Sequence, residues 1–166
     1  MNQPKPIRHI LSALAVCAAL APFAFAQFSL DAPARTKAYV NYTAEAQTVP
    51  AGKHGVLQLH FQLLPGFHVN SHTPKSKLLI PTALTLQPAP GVTAGTLEYP
   101  AGQSFSFSFD PNEKVDVYAG TFIVKLPVVA TPGAHTMDAT LKYQACDNAS
   151  CYPPKTLPVK IMFTAK

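Results

Sequence analysis

Residues 55–63 read GVLQLHFQL, and residues 137–145 read MDATLKYQA. In the first stretch Leu57, Leu59, Phe61 and Leu63 alternate with Gln58, His60 and Gln62. In the second, Met137, Ala139, Leu141, Tyr143 and Ala145 alternate with Asp138, Thr140, Lys142 and Gln144. A period of two puts every apolar side chain on one face of a strand, so both stretches are predicted to be half-buried strands. Working outward, further strands are predicted over 36–43, 78–87, 103–109, 115–129 and 156–164. Turn-rich pieces separate them: VPAGKHG, LLPGFHVNSHTPKS, QPAPGVTAG, DPNEK and ATPGAH. The chain has 17 prolines, which strands tolerate at edges and bulges. No amphipathic helix of ten residues is evident in this part. Seven or eight short strands at this spacing predict an all-β, immunoglobulin-like antiparallel β-sandwich, with a small barrel as the alternative.

The first 26 residues follow other rules. Lys5 and Arg8 precede the apolar run ILSALAVCAALAPFAFA, which ends in Ala24-Phe25-Ala26. That pattern predicts a signal peptide cleaved before Gln27. A second reading makes Cys17 a lipidated first residue, but Val16 is bulky for the preceding position. No other segment approaches the roughly 20 apolar residues of a spanning helix. Residues 27–166 are then expected to form a single exported domain. Loss of Lys5 and Arg8 leaves 11 basic residues against eight acidic ones, a mild +3 scattered along the chain. That charge argues neither for nor against nucleic acid, and export argues against it. There is no G-x-G-x-x-G, Walker loop or H-E-x-x-H.

Export matters because it places the remaining cysteines where they can be oxidised. Cys146 and Cys151 lie five positions apart in YQACDNASCYPPKT. A structural disulfide is the plain reading of two exported cysteines. Yet a closed loop of about six residues gains only roughly 2 kcal/mol by chain entropy, against roughly 4 kcal/mol for a bridge between distant strands. The inter-sheet bridge of immunoglobulin domains needs cysteines far apart and usually a nearby tryptophan, and this chain has no tryptophan. A reversible dithiol is the alternative. Thiol exchange runs through a mixed disulfide and needs two neighbouring thiols, one of them reachable. A thioredoxin-type site would want C-x-x-C opening a helix, and that is missing.

LKYQACDNASCYPPKTLPV, together with GFHVNSHTP, LIPTALTL, YPAGQSFSF and VDVYAG upstream, resembles the amino-terminal exported domain of DsbD-type thiol:disulfide interchange proteins. The resemblance runs over about residues 50–164, and its core is Y-Q-x-C-x(n)-C-x-P-P. It implies an immunoglobulin-like sandwich carrying a reversible cysteine pair, with no cofactor beyond that pair and no metal. A thioredoxin-like electron donor, either a separate protein or a membrane transporter, would reduce it. Oxidised periplasmic thioredoxin-fold proteins, including disulfide isomerases and cytochrome c maturation proteins, would receive the electrons. Carried over by position, Cys151 forms the mixed disulfide and Cys146 resolves it, with Tyr143 flanking the site. An aromatic-tipped cap loop is expected within 105–113, with Phe109 first and Phe107 next as its tip. Phe105, Phe107 and Phe109 also share one strand face, so core packing is the competing reading.

Two departures from the family pattern bear on the site. Four residues separate the cysteines where better-known members have five. His68 and Asn70 stand where those members carry tyrosine. Both are expected to flank the thiols, where an imidazole can tune a thiol or relay a proton. The chain also stops at Lys166, without the membrane and thioredoxin-like domains of a full transporter, so a stand-alone domain fed by another protein is expected. Such a carrier has the chemistry of a protein-disulfide reductase, whether or not it is called an enzyme. Two other classes compete. One is copper handling: His68 and His72 stand four apart, and Cu(I) suits thiolates, but in an extended strand those histidines lie about 13 Å apart. The other is a structural sandwich with an inert disulfide.

Overall fold

The computed structural model describes residues 37–76, 78–107 and 110–166. The expected signal peptide, Cys17 and the cap candidate Phe109 lie outside the described residues. Twelve strands run in order: β1 (Val40–Thr43), β2 (Gln47–Val49), β3 (Gly55–Leu63), β4 (His68–Asn70), β5 (Ala83–Leu86), β6 (Val92–Ala94), β7 (Gln103–Phe107), β8 (Asp110–Ala119), β9 (Thr121–Ala130), β10 (Gly133–Tyr143), β11 (Ala145–Cys146) and β12 (Lys155–Ala165). They form three sheets, ordered β1-β3-β9-β6, β2-β12-β10-β5 and β11-β4-β8-β7. All pairings are antiparallel except β2 against β12. The architecture is an all-β, immunoglobulin-like sandwich.

The two long sheets supply the core through the alternation seen in the sequence. Leu57, Leu59 and Phe61 on β3 and Val124 and Leu126 on β9 are fully buried. Met137, Ala139, Leu141 and Tyr143 on β10 join Val159, Ile161 and Phe163 on β12 in the same cluster. Each large apolar side chain so buried contributes about 1.5–3 kcal/mol. Phe61 stacks on Phe122, with ring centroids 5.1 Å apart, and ties β3 to β9.

The structure corrects the sequence reading in two places that shape the site. The predicted strand over 115–129 is two strands in two sheets. Gly120, at φ 66°, makes the corner between β8 and β9, a left-handed conformation that glycine adopts without a Cβ clash. DPNEK, read as a turn, is therefore the start of β8. The predicted strand over 78–87 shrinks to Ala83–Leu86. Residues ahead of it serve as an irregular strap instead: the Ile80 carbonyl accepts from the Asn70 side chain, and Thr82 donates its hydroxyl to the Asn70 carbonyl. Pro81, with no N–H to give a ladder, suits that role.

β4, β8 and β11 give the third sheet two unlike faces. Val69, Tyr118 and Ala145 look into the main core. On the other side Cys146 forms a second, smaller cluster with Val115, Val117 and Phe107, and Phe105 and Leu79 pack at its margin.

Candidate functional site

Cys146 and Cys151 are joined by a disulfide, with their Cα atoms 4.0 Å apart. A tight reversal brings them together. The Asp147 carboxylate accepts the N–H groups of Ala149 and Ser150 through Oδ1, both at 2.8 Å. An aspartate capping its own turn in this way is the ordinary chemistry of an Asx turn. The Asp147 N–H reaches the Ser150 carbonyl at 2.9 Å, and the Tyr152 N–H reaches Ala145 at 2.8 Å. Cys146 and Cys151 thus face each other across an isolated antiparallel bridge. The Tyr152 hydroxyl donates to Asp147 Oδ2 at 2.6 Å and clamps the far side of the loop.

Burial distinguishes the two sulfur-bearing residues. Cys146 is 0% exposed, at the end of β11 and inside the apolar cluster of β7 and β8. Cys151 is exposed. Cys151 is therefore open to solvent, whereas a thiolate on Cys146 would sit in an apolar setting that favours the protonated thiol.

β4 runs beside this pair. In the ladder Cys146 lies opposite His68, and His68 lies opposite Ala119. The three side chains therefore share one face of the sheet. His68 is 3% exposed, and its Nε2 has no hydrogen-bond partner among the described residues. Phe105 packs over its ring at 4.1 Å and Phe107 at 5.8 Å. Burial pushes the imidazole below the ordinary histidine range, and the Asp147 carboxylate pulls weakly the other way. The Tyr152 hydroxyl, then the N–H groups of Ala149 and Ser150, hold the Asp147 carboxyl below its usual range. The same hydrogen bond pushes the Tyr152 phenol up.

Asn70, two residues along the same face, is fully buried. Its Nδ2 donates to Ile80 O at 3.0 Å and Gln144 Oε1 at 3.3 Å. The Gln144 amide in turn donates to Tyr152 O at 3.2 Å. Asn70 therefore braces, through Gln144, the backbone that follows Cys151.

The predicted site residues thus fall into groups. His68, Phe107 and Cys146 are brought together, and Asn70 connects to the same loop. Tyr143 belongs to the main core, where its hydroxyl accepts the Tyr39 N–H at 3.3 Å. From β7, Phe107 joins the cluster that holds Cys146 and Phe105 packs at its margin. His72 is turned to other work. Its Nδ1 lies 2.9 Å from Thr82 O and its ring stacks on Tyr99 at 3.8 Å. Among the described residues no group of three histidine, cysteine or acidic side chains is placed to hold a metal.

Asp147 and Tyr152 were not singled out for the site, and Phe105 was named in the cap segment only behind Phe109 and Phe107. Asp147 was findable, because Asp-Asn-x-Ser between the cysteines carries turn chemistry. Tyr152 was not, since its role depends on where the loop folds back. Around it Tyr39 and Phe67 make an aromatic group, with Tyr39 stacked on Tyr152 at 5.0 Å. Lys37 and Lys155 lie over these rings at 4.6 Å and 5.4 Å. Tyr152, next to Cys151 in sequence, and Phe67 are half-buried, and Tyr39 beneath them is buried.

A family profile described as "Thiol:disulfide interchange protein DsbD, N-terminal" matches residues 36–161. No curated protein matches the chain. Among solved structures, the N-terminal periplasmic domain of ScsB from Proteus mirabilis is 13% identical with a TM-score of 0.50, covering 74% of this chain and 44% of that one. The reduced DsbD N-terminal domain of Neisseria meningitidis is 18% identical with a TM-score of 0.43, covering 66% of this chain and 81% of that one. The described residues contain no helix long and apolar enough to cross a membrane. With the profile spanning most of its length and a disulfide at the motif's two cysteines, the chain belongs to the family of DsbD N-terminal thiol:disulfide interchange domains.

Proposed function

We propose that this domain is a periplasmic electron carrier that works through reversible opening of the Cys146–Cys151 disulfide. A thioredoxin-like donor, either a separate protein or a membrane transporter, attacks Cys151 Sγ with a thiolate. A bond forms between the donor sulfur and Cys151, and the electron pair of the broken disulfide leaves on Cys146. The donor's second thiol then attacks its own sulfur, leaving both cysteines reduced and the donor oxidised. In the second half-reaction Cys151 attacks an oxidised thioredoxin-fold protein, and Cys146 attacks Cys151 to release that protein reduced. Disulfide isomerisation and cytochrome c maturation are the pathways that would use such electrons. No cofactor beyond the pair takes part, and export by a signal peptide cleaved near Ala26 brings the domain to its partners.

The observation that carries this reading is the unequal burial of the pair, with Cys151 exposed and Cys146 sealed. A staple needs no such asymmetry, whereas exchange needs one reachable sulfur and one sheltered partner. The apolar hairpin over Cys146 supports a shielding role for Phe105 and Phe107. The test is the reduction potential of residues 27–166, read by thiol alkylation after equilibration with dithiothreitol or glutathione. A working couple should lie roughly between −270 and −180 mV, the span from thioredoxin to protein disulfide isomerase. A value well below about −300 mV would make the bridge structural. Cys146→Ala should then accumulate mixed disulfides through Cys151 with thioredoxin-fold proteins.

A further inference from the structure

The resolving half of the exchange poses a chemical problem. Cys146 has to act as a nucleophile, yet it is fully buried in a cluster of Val115, Val117 and Phe107. Apolar burial favours the unreactive thiol over the thiolate. A proton acceptor beside the sulfur removes that difficulty, and it must itself be neutral when the step occurs.

We infer that His68 is the general base for Cys146 in the resolving step. Directly opposed residues of an antiparallel pair hold their Cβ atoms about 4.5–5.5 Å apart, and Cys146 is directly opposite His68. His68 Nε2 is buried and without a hydrogen bond among the described residues, an uncommon state for a buried polar atom. A base awaiting a proton from a group that is locked in a disulfide has that appearance. This inference rests on Cys146 being the resolving thiol.

The step balances as follows. Within the mixed disulfide of Cys151 with a partner, the Cys146 thiol gives its proton to the free ring nitrogen of His68. Its sulfur bonds to Cys151 Sγ, and the bond from Cys151 to the partner breaks with the electron pair leaving on the partner's sulfur. The imidazolium then returns the proton to that departing thiolate, directly or through water. In the opposite direction the neutral imidazole takes the proton of the attacking partner thiol, directly or through water, and passes it to Cys146 as that sulfur leaves.

The surroundings keep the imidazole neutral until then. Phe105 and Phe107 cover it from β7, and β8 presents Ala119 opposite it. The charged residues of β8 whose side chains are described lie elsewhere: Asp116 pairs with Lys75 at 3.2 Å, and Glu113 and Lys114 are exposed towards the hairpin tip. From β11 and its loop come Cys146 and Asp147, and Asp147 is the charge that acts on the ring. Desolvation outweighs it, so the neutral form prevails at neutral pH.

A coloured aromatic disulfide, dithiobis-nitrobenzoate, separates the two steps. The reduced domain releases one coloured thiolate when Cys151 attacks and a second when Cys146 resolves, and stopped-flow absorbance follows both. In the wild type the second, concentration-independent phase should hold through the ordinary histidine value of about 6.5 and weaken only at lower pH, where the buried imidazole takes up its proton. In His68→Gln that phase should slow about 100-fold relative to the first and keep only the dependence of a bare thiol. A wild-type second phase that follows thiol ionisation alone, with no break in the histidine range, would overturn the inference whether or not the variant folds. So would an unchanged ratio of phases in a folded His68→Gln. The underlying assignment has its own control: Cys146→Ser should abolish the second phase, and if it persists, Cys146 is not the resolving thiol.

Discussion

Across β3, β9, β10 and β12 the inward positions are filled by apolar side chains, aliphatic and aromatic, packed without a single unpaired buried side-chain polar atom among the described residues. The neighbouring sheet of β4, β7, β8 and β11 buries its residues nearly as well but fills them differently. Among the described residues the four buried side-chain atoms that lack a partner belong to it or its flank: His68 Nε2, Asn70 Oδ1, Ser71 Oγ and Ser106 Oγ. Each such atom costs about 1–3 kcal/mol. The sandwich supplies the stability that lets the small sheet carry this load. One region is built for stability, and the other is built around a reactive pair at the expense of stability.

The sharpest way to separate them is to remove the exposed sulfur. Cys151→Ser should abolish exchange with any disulfide partner, while urea unfolding shifts by no more than the roughly 2 kcal/mol that a six-residue loop closure is worth. Loss of much more stability would mean that the bridge holds the fold. The converse is Phe61→Ala in the sandwich. Phe61 is 0% exposed and stacked on Phe122, and emptying that volume should cost about 3–5 kcal/mol in denaturant unfolding. The reduction potential of the folded fraction should not move. A potential that shifts with Phe61→Ala would show the two regions to be coupled.

A smaller effect is expected from Phe105→Ala, which strips a half-buried ring from above His68. Water then reaches the sheltered side of the pair and can solvate a thiolate leaving on Cys146. Reduction of the disulfide by dithiothreitol should speed up severalfold at nearly unchanged stability. A rate equal to wild type would deny the hairpin its shielding role.

The two regions were also unequally legible in the sequence. GVLQLHFQL gave its strand and inward residues, and MDATLKYQA did so as far as Tyr143 before Ala145 passes into β11 of another sheet, because packing on one face leaves a period of two. The corner at Gly120 was hidden inside VDVYAGTFIVKLPVV, since an apolar alternation running through a sheet change reads as one strand. The three residues of β4 were hidden in a turn-rich stretch: a short strand rich in His and Asn carries no apolar signal, and only tertiary burial makes it one. The cysteine pair itself was plain from spacing and motif. What sequence could not supply was the register that sets His68 against Cys146, or the fold of the loop that brings Tyr152 onto Asp147, because both depend on partners remote in the chain.

The smallest expected effect lies in the pH dependence of stability, and it tests the same contrast. In the folded domain His68 is held below its ordinary value by burial. The unfolded chain therefore binds the proton first as pH falls, and the stability of the fold declines below about 6.5 until the folded imidazole is also charged. Above that pH the contribution is fully present. The effect is small because one group carries it and Asp147 opposes the shift. Urea unfolding of the oxidised domain between pH 7.5 and 5, compared with His68→Gln, isolates it; these pH limits are roughly those within which histidine alone changes charge. The wild type should lose stability over that range more steeply than the variant. Equal slopes would mean that the imidazole is no more shielded in the fold than in water, and the small sheet would then be as permeable as its surface.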